Sequence, residues 1–399
     1  MIVTTANLTA STAPIVGASV GERTGETTGA NATQAAQTTQ AAQATPAAQT
    51  APATPASASA ATTASTSSTS STQQAGPEGP IRWGIVGAGR IARRFAQGLA
   101  YVPDARLAAL WSRRPEPTQA FADEFGAQRA ESFDALLASG IDALYIATVQ
   151  DSHADYAVAA LQAGLHVLCE KPATINRAQL ERVLDAARGA RRLFMEAMKP
   201  PFYPLYRKLR AHLDADPIGE TGLVRAGCSV PGVPDDHPSL SFEHAGGALL
   251  DIGIYEMFLA VDWLGAALDV QTLGRLGPTG VDTFASLNSR HERGIAQLFC
   301  GLDLHGKGDA LLMAKGGHVT IHEPWWNPSR ATIRYADGRV VELDEPFEGG
   351  GLNYETAHFC ELIRAGQLES PLMPHSKSLQ MIAMADAARA ALGLRFAGE

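Results

Sequence analysis

What this sequence has little of narrows it first. Its four cysteines, Cys169, Cys228, Cys300 and Cys360, stand far apart and form no CxxC pair. That spacing argues against a disulfide framework or a thiolate zinc site and fits reduced, buried thiols. No block of Lys or Arg interrupts a chain of formal net charge −9, which argues against nucleic acid and anionic membrane as partners. The apolar runs are too short to span a bilayer. Among His237, His244, His291, His318 and His322 only His318 and His322 stand four apart, and they fall in a β-type run and not on a helix, so no metal site is expected.

Residues 1–79 lack something else. They consist of Ala, Thr, Ser, Gln and Pro with almost no aromatic or large aliphatic side chain, too little apolar surface to offset chain entropy. A disordered tail is expected there. It carries no basic n-region, no twin arginine and no clear apolar h-region, so the expected location is cytoplasmic, with export through "APIVGASV" at 13–20 as the alternative.

What is present begins at Ile81. In "IRWGIVGAGRIARRF", residues 81–95, a β-type run enters Gly87-Ala88-Gly89, and Ile91, Ala92 and Phe95 then start a helical period. The pattern is GxGxxA, which asks for a tight turn at Gly87, close approach of a pyrophosphate at Gly89 and a small residue for helix–strand packing. Further strands are predicted at 105–114 and 141–150, and another in "LHVLCEKP" after a helix over 154–163. Strands alternating with helices predict a doubly wound parallel sheet, a Rossmann domain over 80–203.

After residue 203 the rhythm changes. A helix over 204–213 leads into β-type runs near 221–230, 280–288, 294–302, 310–313, 317–322, 331–335 and 339–343, and helices at 353–365 and 376–392 close the chain. Successive strands without intervening helices predict a mainly antiparallel sheet, hence an α+β domain over 204–399 with an open sheet face.

Two clusters carry chemistry. "HVLCEKPAT", residues 166–174, ends an apolar strand in Glu170 and Lys171, and strand ends in α/β proteins open onto clefts. A cation there can hold a substrate oxygen. In "GGALLDIGIYEM", residues 246–257, Asp251 and Tyr255 are four apart and would share one face of a helix, after glycines that let the backbone pass close to a ligand.

Taken together, "GIVGAGRIA", "HVLCEKPAT", "FMEAM", "GGALLDIGIYEM" and "MADAARAALG" resemble the glucose–fructose oxidoreductase / inositol dehydrogenase (Gfo/Idh/MocA) family over about residues 80–395. The likeness is greatest to its branch of dihydrodiol dehydrogenases and NADP-dependent xylose dehydrogenases. The resemblance implies a nicotinamide-dependent enzyme acting on a sugar (an aldose at C1 first), a cyclic polyol or a dihydrodiol. It places Lys171 beside the nicotinamide ribose and the substrate hydroxyl, Glu170 on the cofactor side, and Asp251 and Tyr255 in the catalytic pocket. It brings Thr148 and His153 near the cofactor beside Gly87, Gly89, Arg90 and Ile91, and it suggests Trp326 as an aromatic wall for the substrate. Ser112, Arg113 and Arg114 end the second strand where NAD enzymes put an acid, so NADP is expected, with NAD as the alternative. Within the branch, tryptophan and arginine often follow MEAM, where this chain has Lys199, Pro200 and Pro201. That departure bears on the substrate, not on the chemistry.

For the proton, Tyr255 is expected to act with its phenol made more acidic by the Lys171 ammonium, Lys171 itself being the alternative base. Family relatives pair through the open sheet face, so a homodimer or higher even oligomer is expected. Two rival readings remain on this fold. One is a glycosidase using bound NAD transiently, the other a sugar- or cofactor-sensing regulator. An intact Lys171, Asp251 and Tyr255 weighs against the regulator.

Overall fold

Short, wholly apolar runs such as "ALYI" become strands covered on both faces, the condition of a parallel sheet. The computed structural model describes residues 79–397 and 399, so the expectation of a disordered tail falls, Gly79 apart, outside the described residues. The first sheet holds six strands: β1 (Ile81–Val86), β2 (Ala105–Trp111), β3 (Gln128–Arg129), β4 (Ala143–Ile146), β5 (His166–Glu170) and β6 (Phe194–Ala197). Between them run α1 (Arg90–Gly98), α2 (Pro115–Phe125), α3 (Phe133–Leu137), α4 (His153–Gln162) and α5 (Arg177–Ala190). The order is β3-β2-β1-β4-β5-β6 and every neighbouring pair is parallel. The chain therefore reverses its winding between β1 and β4, which opens a crevice at the carboxyl ends of those strands.

The chain then continues through α6 (Pro204–Ala215), β7 (Thr221–Ser229), α7 (Ala248–Asp251), α8 (Gly253–Leu264), β8 (Ala267–Leu276), β9 (Asp282–His291) and β10 (Ile295–Gly301). It ends with β11 (Ala310–Ala314), β12 (Gly317–Ile321), β13 (Arg330–Tyr335), β14 (Val340–Asp344), α9 (Leu352–Arg364) and α10 (His375–Ala391). The second sheet has eight strands ordered β14-β13-β12-β11-β7-β10-β9-β8, antiparallel except for the β7–β10 pair. The architecture is the expected one. Strand β8 was not anticipated: it is an edge strand, and "ALDVQTLGRL" is exposed along most of its length, so it shows no clean apolar alternation.

Helix α8, "GIYEMFLAVDWL", is apolar nearly all round because it is buried nearly all round, packed between α10 and the sheet at β7 and β10. Helix α9 returns to the first sheet. Its Phe359 packs on Trp83, which meets Phe95, which stacks on Tyr145 at 3.8 Å. These rings make a continuous core behind the crevice.

Candidate active site

A cavity of about 790 Å³ occupies the crevice, walled by the carboxyl ends of β1, β2, β4 and β5 and by residues of the second half of the chain. At one end stands the glycine turn. Gly87 has φ +109°, and a Cβ there would lie 2.3 Å from the Ala147 carbonyl, so only glycine fits. Gly89 caps α1 and has no atom within 4 Å of where its Cβ would be. That free space at a helix N-terminus with no acid in its first turn suits a pyrophosphate. Arg90 and Ile91 line the same end.

Beyond it lie Ser112, Arg113 and Arg114 at the end of β2. The Ser112 hydroxyl is 2.5 Å from that of Thr118 and 3.3 Å from the Arg114 nitrogen, which fixes the turn and leaves both arginines exposed. Among the described residues, the carboxylates lining the cavity are Glu170 and Asp251, and neither belongs to this end. Trp111 and Tyr156, with ring centroids 6.2 Å apart, complete the wall.

Thr148 lines the middle, its hydroxyl 2.8 Å from that of Ser152. His153 is buried, with Nδ1 2.8 Å from the Pro172 carbonyl and Nε2 3.2 Å from the Thr148 carbonyl. Burial lowers its pKa, so it is neutral and donates to one carbonyl at a time. It braces the turn after Lys171.

At the far end the strand terminus carries its charges into the second half of the chain. Lys171 Nζ donates to Asp251 Oδ1 at 3.0 Å and to the Asp251 carbonyl, and the other carboxylate oxygen accepts from the Ser239 hydroxyl. Burial would raise the Asp251 carboxyl, but Lys171 and Ser239 hold it below the usual range. Burial would likewise lower the Lys171 ammonium, and Asp251 and Glu170 more than offset this. Glu170 accepts from the buried Tyr145 hydroxyl and, at 3.2 Å, from the Lys171 backbone nitrogen.

Tyr255 requires a correction. Asp251 closes α7 and Tyr255 lies in the first turn of α8, with Ile252 between the helices at φ −115°, so the two are not on one continuous helix. Lys171 Nζ lies over the Tyr255 ring, 5.2 Å from its centroid. It does not make the phenol more acidic. Burial first, then Glu170, Glu355 and Asp251, push the Tyr255 pKa well above its ordinary value. The glycines before Asp251 differ from expectation too: Gly246 is pressed on the Ser239 carbonyl and Gly247 on Asp282, protein contacts and not a ligand surface. Trp326 lies outside the cavity wall, against Gly308, and the buried Trp325 donates to Glu256 at 3.3 Å.

Sequence reasoning gave no catalytic or binding role to Lys199, Arg94, Ser239, His237 and His244, all in the wall. Lys199 was findable, since it follows the end of β6 as Lys171 follows the end of β5. Among the described residues there is no cluster of three His, Cys, Asp or Glu fit for a metal, and all four cysteines are buried and free.

A crevice that offers a phosphate its glycine turn at one end and a lysine-held carboxylate beside a phenol at the other is built for hydride exchange with a nicotinamide. The class is therefore a dinucleotide-dependent oxidoreductase. Comparison with known proteins narrows it. Residues 81–198 match the model of the GFO/IDH/MocA oxidoreductase family, NAD-binding Rossmann fold, and residues 206–322 match the GFO/IDH/MocA C-terminal domain. The chain is 32% identical over 326 residues to the scyllo-inositol 2-dehydrogenase (NADP(+)) IolU of Bacillus subtilis strain 168, covering 79% of this chain and 98% of that protein. It is 29% identical over 330 residues to the trans-1,2-dihydrobenzene-1,2-diol dehydrogenase of Homo sapiens, again 79% and 98%. A solved 3-ketoreductase from Actinomadura kijaniata, in complex with NADP and TDP-benzene, has a TM-score of 0.69 at 28% identity, covering 78% of this chain and 98% of that one. The chain belongs to the GFO/IDH/MocA family of oxidoreductases.

Proposed function

We propose that this enzyme moves a hydride between NADP and a secondary alcohol carbon of a sugar, cyclic polyol or dihydrodiol. The observation that carries the reading is the Lys171–Asp251 pair, set in the same cavity as the glycine turn. The similar proteins named above act on an inositol and a dihydrodiol, and the solved one is a 3-ketoreductase, which supports a ring-borne hydroxyl or ketone as substrate. On this reading residues 80–203 bind the dinucleotide and residues 204–399 the substrate.

The residues present fit NADP: Gly89 leaves space for the pyrophosphate, and Arg113 with Arg114 would hold the 2′-phosphate with no carboxylate to oppose it. When bound, NADP supplies the hydride acceptor. The chain's own residues do the rest. Lys171 holds the substrate oxygen and favours negative charge on it, and Asp251 aims the lysine. Tyr255, its pKa raised, keeps its proton and donates a hydrogen bond to the same oxygen. Glu170 and His153 fix the backbone around Lys171.

We further infer an even oligomer formed through the open face of the second sheet. Register puts Leu273, Ile295, Met313 and Val340 on the side opposite the buried Val224, Leu298 and Leu312, and all four are exposed. A screen of sugars and cyclic diols, following NADPH absorbance, tests the function. Turnover of at least one secondary alcohol is expected, and none across the panel would defeat the reading.

A further inference from the structure

Lys199 is the cavity cation that the mechanism above leaves unused. It follows β6, is 7% exposed, and lines the same wall as Lys171 and Tyr255. Its Nζ donates to Asn327 Oδ1 at 2.6 Å and lies 5.3 Å from the centroid of the Tyr255 ring, while Lys171 Nζ lies 5.2 Å from the same centroid. Two ammoniums therefore stand about one ring, close enough for a single sugar-sized molecule to touch both. They differ in what holds them. Lys171 is paired with Asp251, whereas the hydrogen bond of Lys199 goes to a neutral amide. Arg94 of α1 lines the cavity as well and donates to the Gly350 carbonyl at 2.9 Å. Among the described residues, neither Lys199 nor Arg94 forms an ion pair with a carboxylate.

A buried charge without a counter-charge is costly, and holding Asn327 does not require one. The Tyr203 hydroxyl already donates to the same Oδ1 at 2.9 Å, so a neutral side chain at 199 would leave that loop anchored. Nor do the nearby acids cancel the charge. Glu170 accepts from Tyr145 and from the Lys171 backbone nitrogen. Glu355 of α9 is wholly buried with neither carboxyl oxygen hydrogen-bonded. Burial, then Glu170, push its pKa well above its ordinary value, with Lys199 and Arg94 opposing, which keeps it neutral. Burial, then Arg94 and Lys171, lower the Lys199 pKa to about 8, with Glu170 and Glu355 opposing, so the amine is mostly charged at neutral pH. This end of the cavity thus presents more positive charge than the protein itself neutralises, and that field favours a bound anion.

We propose that the substrate carries an anionic group, a carboxylate or a phosphate ester, and that Lys199 receives it, with Arg94 adding to the field, while Lys171 holds the reacting oxygen. The inference rests on the function proposed above and narrows it from neutral sugars and diols to anionic ones. Lys199 determines specificity on this reading, and the hydride step remains as described. A ring acid or ring phosphate carries a hydroxyl and its anionic group on one small frame, so both ammoniums are engaged by one molecule.

The test is the NADPH screen run with the full-length chain on matched sets: a neutral sugar, its uronic acid and its 6-phosphate in the gluco, galacto and manno series, beside neutral cyclic diols. An acid or a phosphate should exceed its neutral partner in kcat/KM by roughly tenfold or more, the worth of one charge-assisted hydrogen bond. Which of the two leads tells carboxylate from phosphate. Lys199→Gln keeps a donor for Asn327 without the charge, and should reduce the preference for the anion by a similar factor, through KM more than kcat. Neutral substrates equal to or ahead of every anion would overturn the proposal, and so would a preference that survives in Lys199→Gln. A loss of NADP affinity in that variant, measured by calorimetry and matching the loss on substrate, would overturn it too, since the amine would then serve the dinucleotide. If Lys199→Gln fails to fold, the wild-type series decides alone. A wild type that reduces NADP with no member of the panel defeats the proposed function instead.

Discussion

Lys171 Nζ hydrogen-bonds two oxygens of one residue, the carbonyl and the carboxylate of Asp251, across 80 positions of sequence. One bond reads the backbone at the end of α7 and the other the side chain, so the lysine fixes where the second half of the chain stands over the end of β5. The pair is largely shielded, with side-chain exposures of 14% and 29%. Removing one partner from such a pair leaves a buried charge uncompensated, at about 3–5 kcal/mol, whereas removing both costs far less. Asp251→Asn should therefore lower the melting temperature more than the double variant with Lys171→Met. The double-mutant cycle measures this, and additive losses would refute it.

The same pair carries a kinetic expectation. Lys171→Met removes the cation that holds the substrate oxygen, and kcat should fall by roughly a hundredfold or more while NADP still binds. Tyr255→Phe should lower kcat less and leave the pH profile in place, because its phenol stays protonated throughout the neutral range. A pH profile that changed in Tyr255→Phe would return the proton-transfer role to the tyrosine.

Cofactor choice should depend on Arg113 and Arg114. One charge-assisted contact to a 2′-phosphate is worth about 1.5–3 kcal/mol, or roughly tenfold and more in preference. Replacing both arginines with alanine should cut kcat/KM with NADP by about that factor and leave NAD nearly unchanged. Adding Ser112→Asp should reverse the preference, since a carboxylate there would bond the ribose hydroxyls and repel the phosphate. Equal losses with both cofactors would mean that the arginines only support the fold.

How much of this was legible beforehand follows from which signals are local. The glycine turn at 87–89 and the charged strand end at 170–171 read directly, because backbone sterics and strand-end position are properties of a few adjacent residues. The strands of the second sheet read through their alternation, except β8, whose edge position removes the need for it. The acidity of Tyr255 did not read. It depends first on burial, then on Glu170, Glu355 and Asp251, which come from three separate elements. Trp326 failed for a related reason: two adjacent tryptophans look alike in sequence, and neither reaches the cavity.

Gly247 should tolerate no side chain. Its φ is +118°, and a Cβ would fall 2.1 Å from Asp282 Oδ1, while Asp282 Oδ2 accepts the Leu249 amide at 2.7 Å. Backbone strain alone costs about 1–3 kcal/mol for a non-glycine residue there. The displaced carboxylate would also release the start of α7, the helix that ends in Asp251. Gly247→Ala should lower both melting temperature and kcat, with NADP affinity kept. Unchanged kcat in a folded variant would show that α7 does not position Asp251.

Acid sensitivity should trace in part to His166. Its Nδ1 accepts the Leu193 amide at 3.0 Å, a bond that protonation at that nitrogen would abolish. Burial, and secondarily Arg192, lower its pKa to about 4 from its ordinary 6.5, with Asp142 opposing. The unfolded chain thus takes up a proton below about pH 6.5 that the folded chain refuses until about pH 4, and the state that binds more protons gains as pH falls. Folding stability should therefore drop as pH goes from 6.5 to 4, by about 3 kcal/mol from this residue, and level off below. His166→Asn keeps an acceptor for Leu193 without a titrating ring. Urea denaturation at pH 7 and pH 4.5 should show a smaller difference for the variant than for wild type, and equal differences would clear His166 of the effect.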